Sequence, residues 1–166
     1  GVLVRVAAMG RDVTDRRLAE SVLAHQATHD PLTGLPNRSL LLNHLELAIA
    51  RSQRDATLVG LLFLDLDRFK SVNDNRGHDV GDELLRQVSH RISGVLRPAD
   101  TVARLGGDEF VVLFDEVENA DDALAAARRV CEAIEDHPFQ IASLELVMTT
   151  SAGLAVSTPT DDPETL

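Results

Sequence analysis

The sequence predicts an α/β protein in which a mostly antiparallel sheet is covered by helices. Three observations predict it. The stretch "TLVGLLFLDLD" (57–67) is a continuous apolar run that ends in acids, the pattern of a strand buried on both faces. Apolar residues recur at helical spacing over roughly 38–54 and 80–96, and an Ala-rich run extends from Asn119 to about 136. "TVARL" and "FVVLF" read as two short strands joined by "GGDE", a four-residue link suited to a hairpin. The order is therefore helix, strand, helix, hairpin, helix and further strands, with no internal repeat.

Each element has a local reason. "DPLTGLPNR" carries two prolines and a glycine and reads as a loop, after which Asn37 caps the first helix of the domain, with Leu41, Leu45 and Ala48 on one face. "RFKSVNDNRGHDVGD" is polar and turn-rich, with room for a helical turn or two. Leu84, Leu85, Val88, Ile92 and Leu96 give the 80–96 helix its apolar stripe. Two strands, near 138–147 and 149–157, follow the Asn119 helix. At the front, residues 1–9 read as a lone strand without a partner. "DVTDRRLAESVLAHQATHD" reads as a connecting helix of about 12 residues, too short to hold itself without packing or a partner.

Composition narrows the function. A length of 166 residues suits one domain with short appendages. The net charge of −11 argues against a nucleic-acid surface, which wants a basic stripe, but leaves room for a nucleotide substrate bound through divalent metal. No apolar run approaches the length of a membrane span, no secretory leader is visible, and the single cysteine, Cys131, precludes an internal disulfide and reads as a core residue. A cytoplasmic domain is the expectation. Of sixteen basic residues only Lys70 is a lysine.

The acids carry the chemistry. Asp65 and Asp67 close the apolar strand, where ionised carboxylates are costly unless paired or bound to metal. Two residues apart on a strand, they share a face; if the strand stops at Leu64, they do not. They either mark the point where the strand meets solvent or form half of a site. A turn with Asp108 and Glu109 at its tip can deliver a second carboxylate beside the end of a neighbouring strand. Such a pair, with positions left for phosphate oxygens and water, suits Mg²⁺.

"GGDEF" (106–110), "FLDLDRFKSVND" (63–74), "GHDVGDELL" (77–85) and "HDPLTGLPNR" (29–38), in this order and spacing, resemble the GGDEF family of diguanylate cyclases over roughly residues 29–157. The resemblance implies a central, mostly antiparallel sheet wrapped by helices, similar to nucleotide cyclase and polymerase palm domains. It implies a bacterial enzyme that condenses two GTP into cyclic di-GMP and pyrophosphate. Asp65, Asp108 and the backbone carbonyl of Leu66 would hold Mg²⁺ or Mn²⁺, two ions per GTP. Glu109 would assist the metal or act as the base. Asn73 and Asp82 match guanine contacts: a carboxylate can accept from the guanine N1–H and N2–H₂ donors, and adenine lacks that pair. Read without the family, Asp82 is a helix cap and Asn73 a turn residue. Lys70 is placed to neutralise triphosphate, and His78 to touch ribose or shape its loop. Arg104, just before the glycines, would do phosphate work or pair with Asp100 or Asp108. "RPAD" matches the family's product-inhibition site, with Arg97 and Asp100 clamping cyclic di-GMP; the plainer reading is a helix end stopped by Pro98.

The implied organisation is the end of a PAS-type sensor domain over 1–13, a helical linker over 14–28 and the GGDEF domain over 29–166. The family's usual C-terminal segment, with its basic residues for the triphosphate, is expected to be absent after "TPTDDPETL". Catalysis would require a homodimer, since two GTP sites must face each other. The alternative is a regulatory module that binds GTP or cyclic di-GMP with little or no turnover.

Overall fold

The structure is a computed structural model and describes residues 25–157. The strand expected over 1–9, the sensor remnant over 1–13 and most of the 14–28 linker lie outside the described residues; residues 25–28 are helical.

Four strands form one fully antiparallel sheet, β1 (Leu58–Leu66), β2 (Thr101–Gly106), β3 (Glu109–Val117) and β6 (Thr150–Val156), in the order β2-β3-β1-β6. Helix α1 (Arg38–Asp55) covers one face, where Leu41, Leu45 and Ile49 meet Val59, Leu61, Val111 and Leu113. Helices α3 (His78–Val95) and α4 (Ala120–Glu135) cover the other, burying Leu84, Val88, Ile92 and Val130 against Leu62, Leu64, Phe110, Val112 and Phe114. A short helix, α2 (Phe69–Arg76), links β1 to α3. The two-fold alternation of strand side chains sends β1 residues alternately to the two layers.

The expected caps form. Asn37 Oδ1 accepts from the N–H groups of Ser39 and Leu40 at 3.0 and 3.2 Å, and Asn119 Oδ1 accepts from Asp122 N–H at 3.0 Å. Asp121 and Asp122 lie in the first turn of α4, where the helix dipole favours negative charge.

Several expectations are corrected. The strand expected over 138–147 is instead a small hairpin, β4 (Phe139–Ile141) with β5 (Leu144–Leu146), bent at Ala142 with φ 53°. The polar stretch after β1 holds a two-turn helix, in keeping with the helical turn or two expected there. The "GGDE" link is shorter than four residues: only Gly107 and Asp108 separate β2 from β3, and the register shifts between Arg104 and Gly106. Strand β1 is buried on both faces only as far as Leu62, and Phe63 is 48% exposed. Cys131 sits at the edge of the core, half-buried.

Candidate active site

Strand β1 runs through Asp65 and ends at Leu66, so Asp65 shares the α1 face with Leu61 and Phe63. Its Cα partner on β3 is Glu109, and its partner on β6 is Ser151. Directly opposed residues in an antiparallel pair point to the same side of the sheet. Asp65 and Glu109 therefore stand side by side, with Asp108 one residue earlier on the turn. Asp65 is an exposed residue. Even so, desolvation at the strand end, and then the charges of Asp108, Glu109 and Asp67, push its carboxyl above the usual aspartate range. An open hollow of about 380 Å³ lies here, lined by Phe63, Asp65, Leu105, Glu109, Ser151 and Gly153 among others.

Asp67 behaves differently. It lies one residue beyond β1, where its N–H donates to the Thr149 carbonyl at 3.0 Å. Its carboxylate accepts from the hydroxyls of Thr149 (2.6 Å) and Ser151 (2.7 Å), which hold it below the usual range. Thr149 and Ser151 gave no signal in the sequence, because only the β1–β6 pairing brings them to Asp67. A larger cleft, about 990 Å³, lies between Arg68, Ser71, Asn75 and Arg76 of the α2 region and Leu146–Thr149. Of the four acids only Asp67 lines it, so the hollow beside Asp65 is the better site for the chemistry.

Among the described residues no three His, Cys, Asp or Glu side chains form a group that could hold a metal by themselves. Mg²⁺ does not ask for one: it is commonly held by one or two carboxylates together with substrate phosphates and water. Asp65 stands opposite Glu109 with Asp108 one residue earlier, a group of neighbouring carboxylates of the kind a divalent cation relieves, so the donor set fits. Leu66 buries its side chain and stands opposite Thr150 at the end of the ladder. The turn into α2 is made by Arg68 in the left-handed region, φ 62°. The first N–H groups of α2, those of Phe69 and Lys70, thus follow the acids within a few residues, a polarity suited to phosphate.

Asn73 is not a turn residue. It lies within α2, and its Oδ1 is buried without a hydrogen-bond partner. It abuts Gly81 in α3: a Cβ built there would lie 1.9 Å from that oxygen. Asp82, next to Gly81, is half-buried in the second turn of α3 and does not cap it, since the helix starts at His78 after Gly77. Packing of α2 on α3 thus brings Asn73 to the stretch that carries Asp82. Lys70 is exposed on α2, and His78 is exposed at the first position of α3.

Arg104 pairs with neither Asp100 nor Asp108. Its Nη1 donates to Asp30 Oδ1 at 2.9 Å, and its Nε and Nη2 donate to the Gly107 carbonyl at 3.0 and 2.7 Å. Burial acts to raise the Asp30 pKa. Hydrogen bonds from the Thr33 hydroxyl and N–H, and the Arg104 guanidinium, outweigh it and hold the carboxyl below the usual range.

Arg97 and Asp100 lie beyond α3, which ends at Val95 before Pro98. Asp100 Oδ2 accepts from Arg97 N–H at 3.0 Å. Burial raises the Asp100 pKa, against opposing hydrogen bonds from the Arg97 and Asp115 backbones and the charges of Arg97 and Arg129. Both residues line a separate pocket of about 190 Å³, with Phe114, Glu116 and Asp122 among its walls. Arg129, on α4, is a basic neighbour that the four-residue pattern did not reveal. Asp115, also in this pocket and 3% exposed, pairs with Arg51 of α1.

Residues 27–166 match the sequence profile described as "Diguanylate cyclase, GGDEF domain". The chain is 46% identical over 138 residues to the bifunctional diguanylate cyclase/cyclic di-GMP phosphodiesterase MucR of Pseudomonas aeruginosa, covering 83% of this chain and 20% of that protein. It is 43% identical over 136 residues to the diguanylate cyclase TpbB of the same species, covering 82% of this chain and 29% of TpbB. The chain therefore spans less than a third of either relative. Among solved structures, the coiled coil and GGDEF domain of DgcB from Caulobacter crescentus, in complex with c-di-GMP, superposes with a TM-score of 0.80 at 29% identity, covering 93% of this chain and 82% of that one. The GGDEF domain of TpbB superposes with a TM-score of 0.78 at 36% identity, covering 82% and 80%. The sheet order, the acids on the diglycine turn and these matches together make this chain a member of the GGDEF diguanylate cyclase domain family.

Proposed function

We propose that this domain condenses two GTP molecules into cyclic di-GMP with release of two pyrophosphates, each of two copies contributing one bound nucleotide. The observation that carries this reading is the register Asp65↔Glu109, which sets the acid at the end of β1 beside the acids of the diglycine turn. In each bond-forming step the 3′-hydroxyl oxygen of one GTP attacks the α-phosphorus of the other. The α–β bridging P–O bond breaks, and the hydroxyl proton passes to a carboxylate of the cluster, for which Glu109 is our candidate. Asp65, Asp108 and the Leu66 carbonyl would hold the divalent cations, Mg²⁺ or Mn²⁺, which lower the pKa of the attacking hydroxyl and neutralise charge on the leaving oxygens. The N-terminus of α2 and Lys70 receive the triphosphate. Asn73 and Asp82 read the guanine edge, so ATP leaves Asp82 unpaired. Alignment of two substrates across a pair of chains supplies much of the rate.

The pocket at Arg97 and Asp100 is the site at which cyclic di-GMP restrains turnover, and the N-terminal residues belong to a PAS-type sensor and helical linker that control pairing. Incubation of the protein with GTP and Mg²⁺, with ATP as control, is followed by chromatography for cyclic di-GMP. Product that forms from GTP alone, at a specific activity that rises with protein concentration, supports the reading. GTP that binds and is recovered unchanged points to a regulatory binding module. Specific activity that stays flat across a wide dilution series, with a monomer by light scattering, overturns the dimer requirement.

A further inference from the structure

The turn that carries Asp108 has little of its own to hold it. Gly106 and Gly107 adopt φ of 145° and 54°, conformations open to glycine, and a Cβ at either position meets nothing within 4 Å. Beyond the Gly106–Glu109 pairing of the ladder, no packing at the two glycines confines this bend. Arg104 does. Two of its donors converge on the Gly107 carbonyl, at 3.0 and 2.7 Å. That carbonyl belongs to the same rigid peptide plane as the Asp108 N–H, so the guanidinium fixes the plane from which Asp108 departs.

Arg104 is itself held from the other side. The side chains of Arg104 and Asp30 are only 10% and 16% exposed where they pair. Asp30 Oδ1 also accepts from the N–H and hydroxyl of Thr33, at 2.8 and 2.7 Å. The Arg104 N–H donates to the Pro36 carbonyl at 3.0 Å. The entry turn is closed by its own bonds, Asn37 N–H to the Thr28 carbonyl at 2.9 Å and Asn37 Nδ2 to the Ala27 carbonyl at 2.9 Å. One polar chain thus runs from the point where helical residues 25–28 enter the domain to the peptide just before Asp108.

We propose that Arg104 is a positioning residue that, anchored by Asp30, orients the Gly107–Asp108 peptide and so aims the Asp108 carboxylate at Asp65. The guanidinium fork is what allows it to hold both partners at fixed angles; a lysine at this position presents one point charge and can satisfy only part of the set. The consequence for turnover rests on the catalytic reading above, whereas the orientation of the peptide does not.

The test compares wild type with Arg104→Lys, Asp30→Asn and the double variant. Amide nitrogen–proton NMR spectra recorded without nucleotide read the turn directly. In each variant the Gly107 and Asp108 signals should move or broaden while those of Val111 and Val112, in the buried part of β3, stay in place. Asp30→Asn is the decisive arm, since Asp30 does not touch Gly107 and the amide is nearly isosteric; it decides the matter even if Arg104→Lys fails to fold. Mn²⁺ binding in the presence of a non-hydrolysable GTP analogue, followed by electron paramagnetic resonance, should weaken by about tenfold. The double variant should be no weaker than Arg104→Lys alone, because both cut the same chain. The proposal fails if Asp30→Asn leaves the Gly107 and Asp108 signals where they are in wild type, or if the two substitutions weaken Mn²⁺ binding additively. A wild type that makes no cyclic di-GMP, but whose turn signals respond to Asp30→Asn, sinks the catalytic reading and leaves this one standing.

Discussion

Gly81→Ala separates binding from folding at the point where α2 meets α3. The new methyl would lie 1.9 Å from Asn73 Oδ1, 2.9 Å from its Cγ and 3.2 Å from Phe69 Cζ. No contact of 1.9 Å survives, so the Asn73 carboxamide must rotate out of the notch. That rotation is cheap for the fold, because the obstructing atoms are the far end of a flexible side chain and the Phe69 ring has only a few tenths of an ångström to give. Alanine also gains about 0.5–1 kcal/mol over glycine within a helix. If Asn73 reads the base as proposed, the loss falls on the nucleotide. One net hydrogen bond from Asn73 to guanine is worth about 1 kcal/mol, about fivefold in Kd. Titration calorimetry with GTP should therefore show about fivefold weaker binding, with a melting temperature equal to or above that of wild type. An unchanged Kd refutes the assignment of Asn73 to the base. A marked fall in melting temperature refutes the claim that Asn73 yields easily.

Replacing Asp65 with Asn removes the proposed cation ligand while preserving shape, and cyclic di-GMP formation should fall by about a hundredfold or more; product accumulation near the wild-type rate removes Asp65 from the site. Arg97→Ala deletes a charged partner at the second pocket, so the cyclic di-GMP concentration for half inhibition should rise by about tenfold, and an unmoved inhibition curve places the product elsewhere. Folding holds Asp30 below its usual pKa, so its stabilising contribution is full above about pH 4 and is lost as pH falls through the folded value. The stability gap between wild type and Asp30→Asn, from urea melts, should narrow on going from neutral pH into that acid range; a gap that stays constant contradicts the role of the Arg104 pair.

What the sequence disclosed was whatever depends on near neighbours. Asn37 and Asn119 announce helix starts because a cap needs only the next three residues, and the apolar run of β1 announces a strand because its neighbours share its character. Partnerships across the fold were hidden. Arg104 meets Asp30 across 74 positions, as Asp67 meets Thr149 across 82, and neither pairing has a spacing to read. The hairpin at Ala142 passed for one strand because its left-handed residue is neither Gly nor Asn, the usual signals for such a bend. The helix that holds Asn73 was legible only as room for a helical turn or two because "SVNDN" is polar, and its stability comes from Phe69 and Val72 packing into the core. Gly81 carried no signal of its own in the sequence. Its function is to leave space for a side chain eight positions earlier, and an absence of atoms leaves no trace in a motif.

The left-handed Arg68 leaves two residues, Asp67 and Arg68, to turn β1 into α2. A single amino acid inserted into that corner would rotate the helix by about 100°, swinging the carboxamide away from its notch while the carboxylates stayed in place. On the proposed reading, metal grip and base reading are in this sense geared to one shaft. A change of nucleotide preference in such a protein must come from exchanging side chains in place, because the distance between the two ends of the substrate site offers no slack to adjust.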